Sequence, residues 1–193
     1  MRTAIAASAG GRPTAFGAGW LGGEWPGRVP TGSGAKLPGM TIDEITGFIE
    51  SLGGVLTLRP GPGDGSPELA WGDRFFYYSP AGVVPPGQPF ATIVTKDYPD
   101  EPAAGLDRTG AFRVNIAAGK DEFRARIGRD PRVPAATAAD PGRTDVVAAH
   151  PTYGALGWLA VVDPGPATRS DVLTLLRGAH DAARARYERR HPD

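Results

Sequence analysis

A complete helix-start signal at Met40 constrains this chain more than any other feature. Thr41 and Glu44 stand in T-x-x-E order, so the hydroxyl can accept from the Glu44 amide while the carboxylate reaches back to the Thr41 amide. Met40 and Ile45 flank this box at the spacing of a hydrophobic staple. Ile45, Phe48, Ile49 and Leu52 then recur at helical spacing, and Gly53-Gly54 ends the run. An apolar stripe of this kind needs a sheet or a second helix to cover it. A folded domain is therefore expected from Met40 onward, over residues 40–193.

Residues 1–39 have a different character. They hold ten glycines and four prolines, with Arg2, Arg12, Arg28 and Lys36 against the single acid Glu24. No window carries a helical stripe or strand-like alternation, and ordering glycine-rich backbone is entropically costly. This segment is expected to be a disordered tail or the product of a start codon assigned too early. Trp20 and Trp25 are its only candidate anchors, and the apolar run from Ala4 to Ala9 is too short and weak for a secretion signal.

Glycine and proline keep every later element short: the chain has Gly 28 and Pro 20 in 193 residues. Val55 to Leu58 reads as an edge strand, and the segment 59–67 as a loop. Leu69 to Ser79 carries the aromatic block Phe75-Phe76-Tyr77-Tyr78, a strong strand signal. Phe90 to Lys96 and Phe112 to Ala117 follow as strands, the latter alternating Phe112, Val114 and Ile116 with Arg113 and Asn115. Lys120 to Ile127 predicts a short helix, residues 128–143 an irregular connection, and Trp158 to Val162 the last strand. Thr168 to Arg190 predicts a long helix with Val172, Leu175, Leu176, Ala179 and Ala183 on one stripe, capped by Thr168 or Ser170. Strands grouped in the middle, with helices at the ends, point to an α+β domain: an antiparallel sheet with helices packed on one face.

The chemistry on offer is sparse. There is no cysteine, hence no thiol nucleophile, disulfide or cysteine-ligated metal. Lys+Arg 21 balance Asp+Glu 21, which disfavours a generic nucleic-acid binder. The glycine loop Gly61-Pro62-Gly63-Asp64-Gly65-Ser66 lacks the G-K-[ST] ending of a phosphate loop and has no helix after it. No cofactor and no metal are expected. Trp71, Asp73, Lys96, Asp97, Tyr98, Arg113 and Asn115 lie at strand ends and interiors that could converge on one sheet face, as ligand-binding residues. His150 and Asp73 are the catalytic candidates. As a base, His150 would use a carboxylate such as Asp145 or Asp73. As a structural residue it would be buried, with one ring nitrogen bonded to a backbone carbonyl.

The blocks Trp71-Gly72-Asp73-Arg74-Phe75-Phe76-Tyr77-Tyr78, Pro89 through Tyr98, Leu106-Asp107-Arg108, Phe112-Arg113-Val114-Asn115, and His150-Pro151 through Gly157-Trp158 resemble a bacterial, mainly actinobacterial, family of unknown function over about residues 40–190. The order of elements, with the W-G-D block before the aromatic strand and a Gly-Trp strand feeding the last helix, is also similar to the MmcQ/YjbR proteins. That second resemblance implies a small two-layer, double-wing α+β fold and, by analogy, DNA binding. The combined expectation is a cytoplasmic, non-enzymatic module that binds a small molecule or a protein, as monomer or homodimer, without membrane contact. The alternatives are a small enzyme built on His150 with a carboxylate, and a DNA-binding domain.

Overall fold

A computed structural model of the chain describes residues 38–137 and 139–192. The tail expectations, including those for Trp20 and Trp25, fall outside these residues. Helix α1 (Ile42–Ser51) starts with the capping box formed in full: the Glu44 amide donates to Thr41 Oγ1 at 3.1 Å and the Thr41 amide to Glu44 Oε2 at 2.9 Å. Met40 and Ile45 are both buried in the core. The helix ends into Gly53 at φ 81°, a left-handed position that a side chain would strain.

Six strands follow: β1 (Val55–Leu58), β2 (Arg74–Tyr78), β3 (Ala91–Val94), β4 (Arg113–Ile116), β5 (Ala148–Ala149) and β6 (Leu159–Val162). They form one sheet in the order β1-β2-β3-β4-β6-β5, with every neighbouring pair antiparallel. Helix α2 (Gly119–Ile127) lies between β4 and β5, and α3 (Arg169–Arg190) closes the fold. The α+β class, the edge position of β1 and the grouping of helices on one face all match the sequence expectation. Strand β5 does not: it lies just beyond the stretch read as irregular, and two alanines carry no strand signal.

Strand alternation divides the sheet into two faces. Phe76, Ile93, Val114, Ile116, Leu159 and Val161 face the helices and pack with Ile45, Ile49, Phe123, Val172, Leu175 and Leu176 in the main core. The opposite face carries Phe75, Tyr77, Thr92, Val94, Arg113, Asn115, Ala160 and Val162. A smaller cluster of Val94, Ala104, Leu106, Ala111 and Val162 covers part of it, beneath the β3–β4 connection. The rest is left for polar residues.

The start of α3 corrects one expectation. Thr168 occupies the cap position, yet its hydroxyl caps no amide of the helix and instead donates to Asp145 Oδ1 at 2.6 Å. Asp145, remote in sequence, ties down the turn that leads into the helix: it accepts from the amides of Gly165, Ala167 and Thr168. Burial alone would raise its carboxyl pKa, but these hydrogen bonds and that from the Thr168 hydroxyl hold it below the usual range. At the other side of α3, buried His180 fastens the helix to the end of α1, its Nε2 donating to the Gly53 carbonyl at 2.9 Å. A histidine braced on a backbone carbonyl was expected at His150; the fold has it at His180.

Candidate functional site

The polar face of the sheet is organised by β4. Arg113 and Asn115 are two residues apart on one strand, so they share a face and their side chains meet: Arg113 Nε donates to Asn115 Oδ1 at 2.8 Å. The register places Asn115 opposite Thr92 on β3, and Asn115 Nδ2 donates to Thr92 Oγ1 at 2.9 Å. Both ends of the carboxamide are thereby fixed, which aims the guanidinium outward along the strand. Its Nη2 donates to Glu101 Oε2 at 2.5 Å. Arg113 and Glu101 side chains are only 4% and 14% exposed, so this is a desolvated pair rather than a surface one.

Glu101 reaches the sheet because the β3–β4 connection is held from within. The Asp97 carboxylate accepts from the amides of Ala104, Gly105 and Leu106, folding the loop back on itself. A turn closed by the Glu101 amide donating to the Tyr98 carbonyl at 3.1 Å places those two side chains over the same strands. Behind Tyr98 lies Asp73, fully buried, which accepts from the Thr95 amide at 2.9 Å, the Thr95 hydroxyl at 3.0 Å and the Tyr98 hydroxyl at 2.5 Å. Burial and the hydrogen bond to Asp73 push the Tyr98 hydroxyl pKa up, so the phenol stays protonated.

His150 approaches from the segment between β5 and β6. Its backbone amide donates to the Trp158 carbonyl at 3.0 Å, and its ring is 3% exposed. Nδ1 accepts from the amides of Thr152 and Tyr153, each at 3.1 Å, the geometry of a side-chain-closed turn. An accepting Nδ1 places the proton on Nε2, which points toward Glu101 Oε1 at 4.0 Å. Burial first, and the nearby Arg113 charge second, lower the imidazole pKa to about 4 against a partial upward pull from Glu101. The ring is neutral at physiological pH. Its carboxylate neighbour is therefore Glu101, not Asp145, which braces the turn before α3, nor Asp73, which faces Tyr98 and Thr95. The bond to a backbone carbonyl expected of a structural His150 is replaced by acceptance from two backbone amides.

These groups border a cavity of about 360 Å³. Phe75, Tyr77, Thr92, Arg113 and Asn115 contribute to it from the strands, Tyr98 and Glu101 from the β3–β4 connection, and His150, Tyr153 and Trp158 from the turn before β6. Tyr153 and Trp158 stand with ring centroids 6.1 Å apart, and His150 fits between their planes and the ion pair at 4.9 Å from Tyr153. The sheet thus presents an aromatic rim around a polar centre whose formal charges, Arg113 and Glu101, cancel. Among the described residues no group of three or more His, Asp or Glu is placed to hold a metal ion.

Of the binding residues expected from sequence, Tyr98, Arg113 and Asn115 border this cavity, and Asp73 supports it through Tyr98. Lys96 turns elsewhere: its ammonium donates to the carbonyls of Leu69 and Trp71. Trp71 itself packs over the preceding loop, Nε1 donating to the Ser66 carbonyl at 3.3 Å. Asp97 organises the loop that carries Glu101. Trp71, Lys96 and Asp97 are therefore fasteners of the connections around the site. Glu101 escaped the sequence reading because one acid in Asp97-Tyr98-Pro99-Asp100-Glu101-Pro102 carries no pattern that separates it from its neighbours.

No helix among the described residues is long and apolar enough to cross a membrane. No curated protein and no solved structure matches the chain. A family model does match, over residues 40–192, from the first residue of the hydrophobic staple to two residues past the end of α3. The chain belongs to the family of unknown function DUF6194.

Proposed function

We propose that the domain is a non-enzymatic module that binds a small molecule in the cavity over β2, β3 and β4. The observation that carries this reading is the desolvated Arg113–Glu101 pair at the centre of an aromatic-rimmed concavity. Desolvating two charges costs several kcal/mol per ion, roughly what their attraction returns, so apolar residues would stabilise the same fold equally well or better. Aromatic walls around a few convergent polar groups are the usual composition of small-molecule sites, and a volume of about 360 Å³ lies in their range.

An acid–base enzyme built on His150 has less in its favour. The Nδ1 lone pair is engaged by two amides, Nε2 holds the proton, and burial keeps the ring neutral. A general base needs a free lone pair within reach of substrate. The DNA-binding alternative draws nothing from this cavity, whose one cation is already matched by Glu101.

Two-dimensional NMR titration with a set of neutral aromatic fragments tests the reading. The expected shifts fall on the Trp158 indole N–H, the Arg113 Nε–H and the Tyr153 amide. Fragments that perturb only the exposed Val83–Val84 loop and the end of α3 would overturn it.

A further inference from the structure

The two partners of the ion pair that borders the cavity each keep an atom without a hydrogen bond among the described residues. Arg113 uses Nε for Asn115 and Nη2 for Glu101, and among the described residues its Nη1 makes no hydrogen bond. Glu101 uses Oε2 for Arg113, while Oε1 has only the His150 Nε2 at 4.0 Å, beyond hydrogen-bond range. The Arg113 side chain is 4% exposed and borders the cavity, so a ligand seated there covers what access to water its guanidinium retains. A ligand therefore meets a donor and an acceptor on the two members of one close ion pair, with opposite charges that cancel.

Resting on the reading of this cavity as the binding site, we infer that its ligand is a neutral, planar heteroaromatic molecule with adjacent N–H and C=O groups on one edge. The class comprises aromatic lactams and nucleobases. The N–H donates to Glu101 Oε1 and the C=O accepts from Arg113 Nη1, while the ring lies among Tyr98, Tyr153 and Trp158. Three features select this class. An anion finds no uncompensated cation, because Glu101 neutralises Arg113 and Asp73 lies behind Tyr98. A cation would meet the Arg113 guanidinium. A molecule with one hydrogen-bonding group leaves either a buried donor or a buried acceptor unpaired, which is costly. His150, neutral and carrying its proton on Nε2, adds a donor rather than a charge to this edge.

The probe pair is 2-quinolone and N-methyl-2-quinolone, which differ only in the lactam N–H. Isothermal titration calorimetry on the full chain is expected to show 2-quinolone binding at least about tenfold tighter, since a hydrogen bond to a charged group is removed in the methylated form. Glu101→Gln is expected to abolish that preference and to raise affinity for quinoline-2-carboxylate, because Arg113 is then left without its counter-charge. Tyr153→Ala provides a second variant at an exposed position: it should weaken both lactams by a similar factor and leave their ratio unchanged. Equal binding of the two lactams overturns the edge assignment while leaving the cavity as a binding site. Absence of binding by both up to about 1 mM also overturns the assignment, and the neutral-fragment titration then decides separately whether the cavity binds anything. A Glu101→Gln protein that keeps the lactam preference contradicts the role given to Oε1.

Discussion

Replacing His150 with alanine isolates the turn that forms one wall of the cavity. The substitution removes the acceptor of two part-buried amides, those of Thr152 and Tyr153. A fully buried donor left unsatisfied costs about 1–3 kcal/mol, and each of these costs a fraction of that. Water entering from the adjoining cavity recovers part of this, and lost ring contacts with Tyr153 and Trp158 add to it. The expected net loss is about 1–3 kcal/mol in urea denaturation. His150→Asn is the informative companion, because Asn Oδ1 occupies the place of Nδ1 and can accept from the same amides. It should recover at least half of the loss. Comparison of native protein with His150→Asn across pH adds a signature of charge. The folded imidazole titrates near 4, below its ordinary 6.5, so the unfolded chain binds the proton first as pH falls. The stabilisation is complete above pH 6.5 and is lost as pH drops toward 4, by on the order of 3 kcal/mol relative to the variant. A loss below about 0.5 kcal/mol for His150→Ala, an Asn variant no better than Ala, or a pH-independent difference between native and Asn proteins would refute the reasoning.

Other perturbations test the supports around the site. Asp145→Ala removes the acceptor for three amides in the turn before α3 and is expected to cost about 2–3 kcal/mol by denaturant titration, well above the effect of Thr168→Val. Tyr98→Phe leaves Asp73 Oδ2 buried without its 2.5 Å donor, with an expected cost of about 1–3 kcal/mol and a weaker fragment affinity in the same titration. Gly157→Ala combines a left-handed φ of 82° with a methyl group 2.9 Å from the Gly119 carbonyl carbon, so it should lower stability by more than about 2 kcal/mol, read by thermal unfolding.

The sequence carried the fold through features that act locally. The Thr41–Glu44 box, the Ile45–Ile49 stripe and the alternation of Val114 and Ile116 with Arg113 and Asn115 each depend on neighbours within a few residues. They appear in the structure where their spacing puts them. The failures are non-local. Asp145, from a left-handed backbone position at φ 54°, braces the turn before a helix some twenty residues away, and nothing adjacent to it marks that role. Ala148–Ala149 is a strand only because β6 has a free edge to pair with. In the site, strand periodicity made Arg113 and Asn115 legible as one polar surface. Glu101 was invisible because a loop carries no period, and its arrival depends on Asp97 folding the connection from behind. Lys96 looked like a site cation at a strand end, yet the carbonyls of Leu69 and Trp71 lie within its reach and take its protons.

On the proposed function, the Arg113–Glu101 pair is present for a ligand and not for the fold. Each single replacement, Arg113→Met or Glu101→Leu, strands a buried charge and should cost about 3–5 kcal/mol. The measurement that separates the two purposes is made on the double variant, by denaturant unfolding together with titration of the neutral aromatic fragments. Stability within about 1 kcal/mol of the native protein, or above it, with fragment binding at the cavity lost is the predicted result. A double variant that remains several kcal/mol less stable while binding the fragments as the native protein does would contradict it.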